Sequence, residues 1–370
     1  MPRRCASLKS MQVLVANPQL QTALFSVIFL AALLLSIRKA ERGEVFPASL
    51  TRDLKGFAIL TVVFAHIGYG LSSNNAFLWP FSTVAGVGVN MFLFVSGLGL
   101  VISQDRLNLK PLEFYRRRFG SLLAPLWIML AVLYAADYFL LHKSYPAMTV
   151  VKSFFGVYTS ADLYRDPNSP LWYLTFLFSY YLVFPFIYRK RRAFASAVAM
   201  LLFGILFTAA AKLIAVETVW LYVLHCVAFP LGMAAAMVLE RIPKKPITAL
   251  LPASIRLPLA LLLVGAFAYG AVHSGVGHWQ EQFVSVMTML ALIEGLALLN
   301  VRFGLLGLFG AYSYEIYLLH WPLMYRYDFA YKKLPPYLAT ALYLGIFLVL
   351  GWALQRLALI FEKKKHAAVC

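Results

Sequence analysis

Hydrophobic residues along this chain come in long blocks, with short polar connections between them, and not in stripes at helical or strand spacing. Blocks of about 20 apolar residues match the hydrocarbon thickness of a bilayer, and the lack of one-sided patterning argues against amphipathic helices around a soluble core. Eleven spans are predicted. The first six are Leu20–Ile37, Gly56–Leu71, Phe81–Ile102, Phe119–Leu141, Leu171–Tyr188 and Ala193–Val216. The others are Val219–Leu239, Leu257–Val272, Phe283–Leu299, Gly304–Met324 and Tyr337–Phe361. The long outer connection, Leu141 to Pro170, carries Asp162, Asp166 and a Pro-Asn-Ser-Pro turn. No segment is long enough for a separate soluble domain, and no internal repeat is visible. The fold class expected is all-α, a polytopic transmembrane helical bundle.

Composition agrees. Hydrophobic residues make up 62% of the 370 and charged residues 13%, about half the charged share of a soluble domain. The net charge of +18 is of the size that marks nucleic-acid binders, but its distribution points elsewhere. Arg38-Lys39, Arg116-Arg117-Arg118, Arg189-Lys190-Arg191-Arg192, Lys244-Lys245 and Lys363-Lys364-Lys365 bracket apolar blocks, the pattern left by retention of cationic loops on the cytoplasmic side. The partner implied is membrane lipid, not nucleic acid. Lys and Arg favour alternate connections by better than two to one, which places the N-terminus outside and the C-terminus inside. Gln19–Ile37 is followed by Arg38-Lys39-Ala40-Glu41-Arg42 without a small-residue cleavage pattern, so it reads as an uncleaved helix. Cys5, Cys226 and Cys370 are too far apart for a metal-ligand pattern, and no metal site is expected.

Ionisable side chains inside a bilayer are costly, so each one in a span is a functional candidate. Asp137, Lys212 and Glu217 lie near span ends, where snorkelling to the interface accounts for them. His225 and Glu294 read first as packing residues. His66 differs. Ten residues separate it from Lys55, so the two side chains share one helix face with about 16 Å of rise between them. Such a pair can hold both ends of an elongated substrate. Ser313, Tyr317 and His320 form a polar stripe on an otherwise apolar helix, with Glu315 on a neighbouring face. Uniform rise puts Glu315 at the depth of His66 and His320 about 7 Å further out. A block from Gly86-Val-Gly88-Val-Asn90 to Ser96-Gly97 has small residues that permit close helix packing, with Asn90 near mid-depth. The Arg116–Arg118 run, at a helix start before Pro125, reads equally as a topology anchor and as a site for a phosphate-bearing ligand.

Four blocks, taken together and in order, resemble the integral membrane acyltransferase family 3. They are Lys55 and His66 at their spacing, Gly-Val-Asn-x-Phe-x-Phe-x-Ser-Gly at 88–97, the arginines before Pro125 with Leu171-Trp172-Tyr173-Leu174, and Ser313-Tyr-Glu315-Ile-Tyr317-Leu-Leu-His320-Trp-Pro322. The resemblance divides the chain into a preceding segment, 1–50 (tail, extra helix and cytoplasmic linker), and a ten-span acyltransferase membrane domain, 51–370. It implies transfer of an acyl group, commonly acetyl, from cytosolic acyl-CoA (acetyl-CoA) to a hydroxyl of an extracytoplasmic carbohydrate or glycolipid, in a bacterial inner membrane. It implies His66 as base, Lys55 as its cationic partner, and Arg116, Arg117 and Arg118 on coenzyme A phosphates. Asn90, Ser96, Trp172, Ser313, Tyr317 and His320 would face substrate. Glu315 is the expected carboxylate behind the His66 ring, by analogy with a hydrolase triad. Lys55 stands where the family more often has arginine, and Asn90 where it more often has aspartate. The alternative reading is a transporter or flippase of a glycan or lipid precursor.

Overall fold

The computed structural model describes residues 12–40, 46–73, 76–274 and 280–367; Cys5, Cys370 and the Glu41-Arg42 part of the predicted linker lie outside them. In chain order the first helices are α1 (Pro18–Leu35), α2 (Ala48–Ala65, continued by a π-helical turn, His66–Leu71), α3 (Trp79–Ser82), α4 (Ala85–Leu107) and α5 (Pro111–Leu141). Then come α6 (Ala147–Phe154), α7 (Trp172–Ile187), α8 (Ala193–Leu213), α9 (Val219–His225), α10 (Ala228–Arg241) and α11 (Ile247–Leu250). The last are α12 (Ala253–His273), α13 (Gln280–Leu299), α14 (Gly304–Ala311), α15 (Ser313–Tyr325) and α16 (Pro336–Ala367). Two three-residue strands, β1 (Ile37–Lys39) and β2 (Val301–Phe303), pair antiparallel with Arg38 opposite Arg302. Ten helices among the described residues are long and apolar enough to cross a membrane. The chain is an all-α polytopic bundle and an integral membrane protein.

α2 is the axis of the bundle. Within its apolar 18-residue stretch 78% of residues are buried, against 11% in the corresponding stretches of α1 and α12 on the rim. The sequence predicts this span from Gly56, because Arg52, Asp53 and Lys55 interrupt the apolar run; the helix in fact begins at Ala48. Tertiary contacts neutralise the interruption. Asp53 is buried, accepts the Phe303 backbone N–H at 3.0 Å through Oδ2, and faces Arg302.

The span predicted at Gly304–Met324 is broken at Tyr312 into α14 and α15. α14 packs across the first turns of α2 at close backbone approach. A Cβ on Gly56 would come to 1.9 Å from the Leu306 carbonyl oxygen, and one on Gly310 to 1.8 Å from that of Arg52. Neither partner atom is a side-chain tip that could swing away. Gly310→Ala should therefore destabilise the fold by about 1–3 kcal/mol through overpacking, read as a lower apparent Tm of the purified protein. An unchanged Tm would mean that α14 can lift off α2 at no cost.

α1 is bound to this core at both ends. Before it, Val13 pairs with the strand leaving the π-helical turn (Val13 N–H to Leu71 C=O, 2.9 Å; Ser73 N–H to Val13 C=O, 3.0 Å). After it, the Gly304 N–H donates to the Ser36 carbonyl at 2.8 Å. The connection from Leu141 to Pro170 is not a slack loop. Asn168 Nδ2 donates to the Leu318 carbonyl (2.8 Å), Trp321 Nε1 to that of Leu163 (2.8 Å), and the Tyr317 hydroxyl to that of Pro170. It is strapped along α15.

Asp137 corrects the sequence reading. It does not snorkel: it is fully buried and ion-paired to Arg326, itself almost fully buried. The Tyr145 and Tyr327 hydroxyls also donate to it, each at 2.6 Å. Lys212 and Glu217 are exposed near helix ends, as the sequence reading has them.

Candidate functional site

A cavity of about 570 Å³ opens between α2, α4, α7, α9, α13 and α15. At one end it is lined by Lys55 and Arg118, in the middle by Ser96, Tyr181, Ser313 and Tyr317, and beyond them by His66 and Tyr69. Trp79 and Trp220, also on its wall, are 52% and 49% exposed, which puts them at its mouth away from Lys55.

α2 sets the long axis of the site. Its unbroken helix carries Lys55 and His66 on one face, as their spacing predicts, and both line the cavity. The helix loosens into the π-helical turn at His66, a departure that adds a residue per turn and often accompanies functional sites. That turn is packed tightly: a Cβ on Gly70 would meet the Trp321 ring at 2.9 Å.

His66 is held by His320. His66 Nδ1 lies 2.9 Å from His320 Nε2. His320 Nδ1 faces the carbonyls of Ile316 (3.1 Å) and Tyr317 (2.9 Å), which accept hydrogen bonds and cannot donate them. In the neutral ring the proton therefore sits on His320 Nδ1, and Nε2 accepts from His66 Nδ1–H. The Val62 carbonyl, a further acceptor beside His66, fits the same tautomer. His66 Nε2 is left with a lone pair and no partner among the described residues. A ring so fixed can accept a proton at a known atom.

His320 thus takes the place behind His66 that the sequence reading gives to Glu315. The error lies in the depth arithmetic. α14 stays level with residues 52–56 of α2, so its eight residues add little rise, and every position on α15 is displaced toward the Lys55 end. Glu315 accordingly interacts with Lys55 and Gln355, while His320 comes up to the His66 ring. Neither Glu315 nor His320 lines the cavity.

Asn90 is likewise behind the wall and not on it. Fully buried, it faces His225 Nδ1 through Oδ1 (2.8 Å) and donates from Nδ2 to the Ser285 hydroxyl (2.7 Å). His225 is the residue that reaches the cavity, with the Trp172 ring stacked on it at 5.9 Å and 21°. Ser96 lines the cavity and shares a 2.6 Å hydrogen bond with Tyr181. Ser313 and Tyr317 also line it.

The three arginines separate. Arg116 and Arg117 are exposed and face away, as helical spacing requires once one of three consecutive residues points inward. Arg118 alone lines the cavity, and its buried Nε has no hydrogen-bond partner among the described residues. A buried unpaired guanidinium N–H is an unmet demand for an acceptor, and it sits close enough to Lys55 for their charges to interact. These two cations fit the phosphates of an anionic ligand. No group of His, Cys, Asp and Glu suited to a metal occurs among the described residues.

Sequence reasoning missed Tyr69, Tyr181, Trp220 and Glu281, all on the cavity wall. Tyr69 was within reach, three residues beyond His66 on the same helix. Glu281 precedes the predicted start of its span by two residues, and so passed for loop.

A family model described as an acyltransferase domain matches residues 53–356, from the start of α2 into α16. No curated protein and no solved structure matches the chain significantly. The matched region takes in Lys55, His66, Arg118, His225 and His320 and covers most of the chain, so the protein belongs to the acyltransferase-3 family of membrane acyltransferases.

Proposed function

We propose that this membrane acyltransferase uses acyl-CoA as donor, acetyl-CoA being the commonest in such a role, and acylates a hydroxyl of an extracytoplasmic carbohydrate or glycolipid. The observation that carries the reading is the single cavity that joins a cationic end, Lys55 and Arg118, to the open Nε2 of His66 and then to a mouth flanked by Trp79 and Trp220. The excess of Lys and Arg on alternate connections puts the Lys55 end in the cytosol, where the donor is. The opposite mouth then faces the extracytoplasmic side of a bacterial inner membrane.

Lys55 and Arg118 hold the donor's phosphates by charge-assisted hydrogen bonds. The donor thioester supplies an activated acyl carbon and a sulfur leaving group. His66 Nε2 takes the proton of the acceptor hydroxyl as its oxygen bonds to the acyl carbon, and returns it to the sulfur as the carbon–sulfur bond breaks. The imidazole is suited to both tasks because one ring nitrogen can take a proton and give it back within a single reaction.

The test is reconstitution in proteoliposomes with acyl-labelled acetyl-CoA on one face and envelope glycans on the other. Label is expected on the glycan. The break between α14 and α15 also occurs in transporters, and glycan crossing the bilayer unacylated would replace this reading with transport. Donor recognition has its own test. Arg118→Ala should raise the donor KM at least about tenfold, the loss of a hydrogen bond to a charged group. Arg116→Ala and Arg117→Ala should leave it within about twofold. Equal effects from all three would remove Arg118 from the site.

A further inference from the structure

His66 is not the only imidazole in the cavity with a fixed tautomer and an open lone pair. The chain of hydrogen bonds behind His225 can be followed to its end. The Ser285 hydroxyl donates to the Gln282 carbonyl (3.3 Å) and accepts from Asn90 Nδ2 (2.7 Å). That orients the Asn90 amide, so that Oδ1 is the atom facing His225 Nδ1 at 2.8 Å. An amide oxygen only accepts, so Nδ1 carries the proton and Nε2 does not. His225 is 4% exposed and lines the cavity, and its Nε2 has no partner among the described residues. A buried acceptor without a donor is costly unless a ligand supplies one.

The surroundings say what kind of donor. Trp172 stacks on the His225 ring and Glu281 shares the wall, near enough that a Cβ on Gly86 would touch both Glu281 Oε1 (3.3 Å) and His225 Cε1 (3.8 Å). Trp220 lies five residues before His225 on α9, about 7 Å toward the mouth. Aromatic faces beside hydrogen-bond acceptors suit a ring with apolar C–H faces and hydroxyl edges.

We propose that His225 is an acceptor-binding residue. Its Nε2 receives a hydrogen bond from a second hydroxyl of the same acceptor whose first hydroxyl His66 deprotonates. The acceptor is then a pyranose with more than one free hydroxyl, seated against Trp172 and Trp220. This rests on the function proposed above and adds to it the subsite and the polyol requirement.

Two substitutions isolate the atom. His225→Asn keeps a donor at the Nδ1 position for Asn90 and removes Nε2; His225→Gln puts an acceptor back near Nε2. With the full-length protein in proteoliposomes, and methyl hexopyranosides with their monodeoxy analogues as probes, His225→Asn should raise the KM for the glycoside about tenfold or more and leave the donor KM unchanged. His225→Gln should recover much of the loss. One monodeoxy analogue should bind wild type and His225→Asn equally, because its missing hydroxyl is the partner of Nε2. A full His225→Asn penalty on every monodeoxy analogue, or an unchanged glycoside KM, would overturn the subsite. Equilibrium binding of the same labelled glycosides separates the two proposals. Binding weakened by His225→Asn in a protein that transfers nothing sinks the acyl-transfer reading and keeps the subsite; no binding and no transfer sinks both.

Discussion

His66→Ala is expected to abolish acyl transfer, lowering turnover by about 10²–10⁴-fold, the usual contribution of a positioned general base. No neighbouring side chain among the described residues can substitute for it. His320 is fully buried behind the ring, with Nδ1 bound to two carbonyls and Nε2 to His66, and cannot reach a substrate. His225 has an open nitrogen too, but it lies on α9, where the acceptor subsite assigns it to a different hydroxyl. The same geometry makes His320 a positioning residue. His320→Gln, whose amide oxygen can still accept from His66 Nδ1, should keep more activity than His320→Leu, which leaves that N–H unmatched. Because His66 borders a cavity and not a close-packed core on one side, His66→Ala should fold. Wild-type Tm with lost turnover supports the base. Turnover within a few-fold of wild type would remove His66 from the chemistry.

Asp137→Asn carries the largest expected effect on stability, a loss of about 3–5 kcal/mol, the cost of stranding one partner of a buried ion pair. The carboxylate is the hub of its region. It is paired with Arg326 and accepts from Tyr145 and Tyr327, while Arg326 also donates to the backbone carbonyls of Asp166 (2.7 Å) and Pro167. One ion pair thus fastens the end of α5, the strap from Leu141 to Pro170 and the segment after α15. With asparagine at 137, the guanidinium stays buried without a counter-charge. Thermal unfolding of the purified protein should move down by several degrees. The double variant Asp137→Leu with Arg326→Met, which buries no charge, should regain most of the loss. Equal Tm for wild type and Asp137→Asn would show that the strap is held by its other contacts.

The patterns carried by one helix were legible in the sequence. Bilayer-length apolar blocks are fixed by the chain itself, because a helix in hydrocarbon satisfies its own backbone; the bundle and its class follow. The face shared by Lys55 and His66 follows too, since helical pitch alone sets it and α2 runs unbroken between them. The stripe of Ser313, Tyr317 and His320 follows in part: Ser313 and Tyr317 reach the cavity, and His320 does not.

What depended on how helices lie against one another was not legible. The partner of His66 turned on the course of α14, which lies level across α2 because Gly56 and Gly310 allow backbone contact, and no count of residues reveals a helix that does not climb. Asp137 looked interfacial because its counter-ion, Arg326, is 189 positions away. Asn90 and His225 are 135 apart, and only their meeting turns a packing histidine into an open acceptor. Periodicity is a property of neighbours along the chain, whereas tautomers, ion pairs and cavity walls are made by neighbours in space. The sequence determined which side chains entered the bilayer; the packing of α14, α15 and α9 on α2 and α4 decided which of them face a ligand.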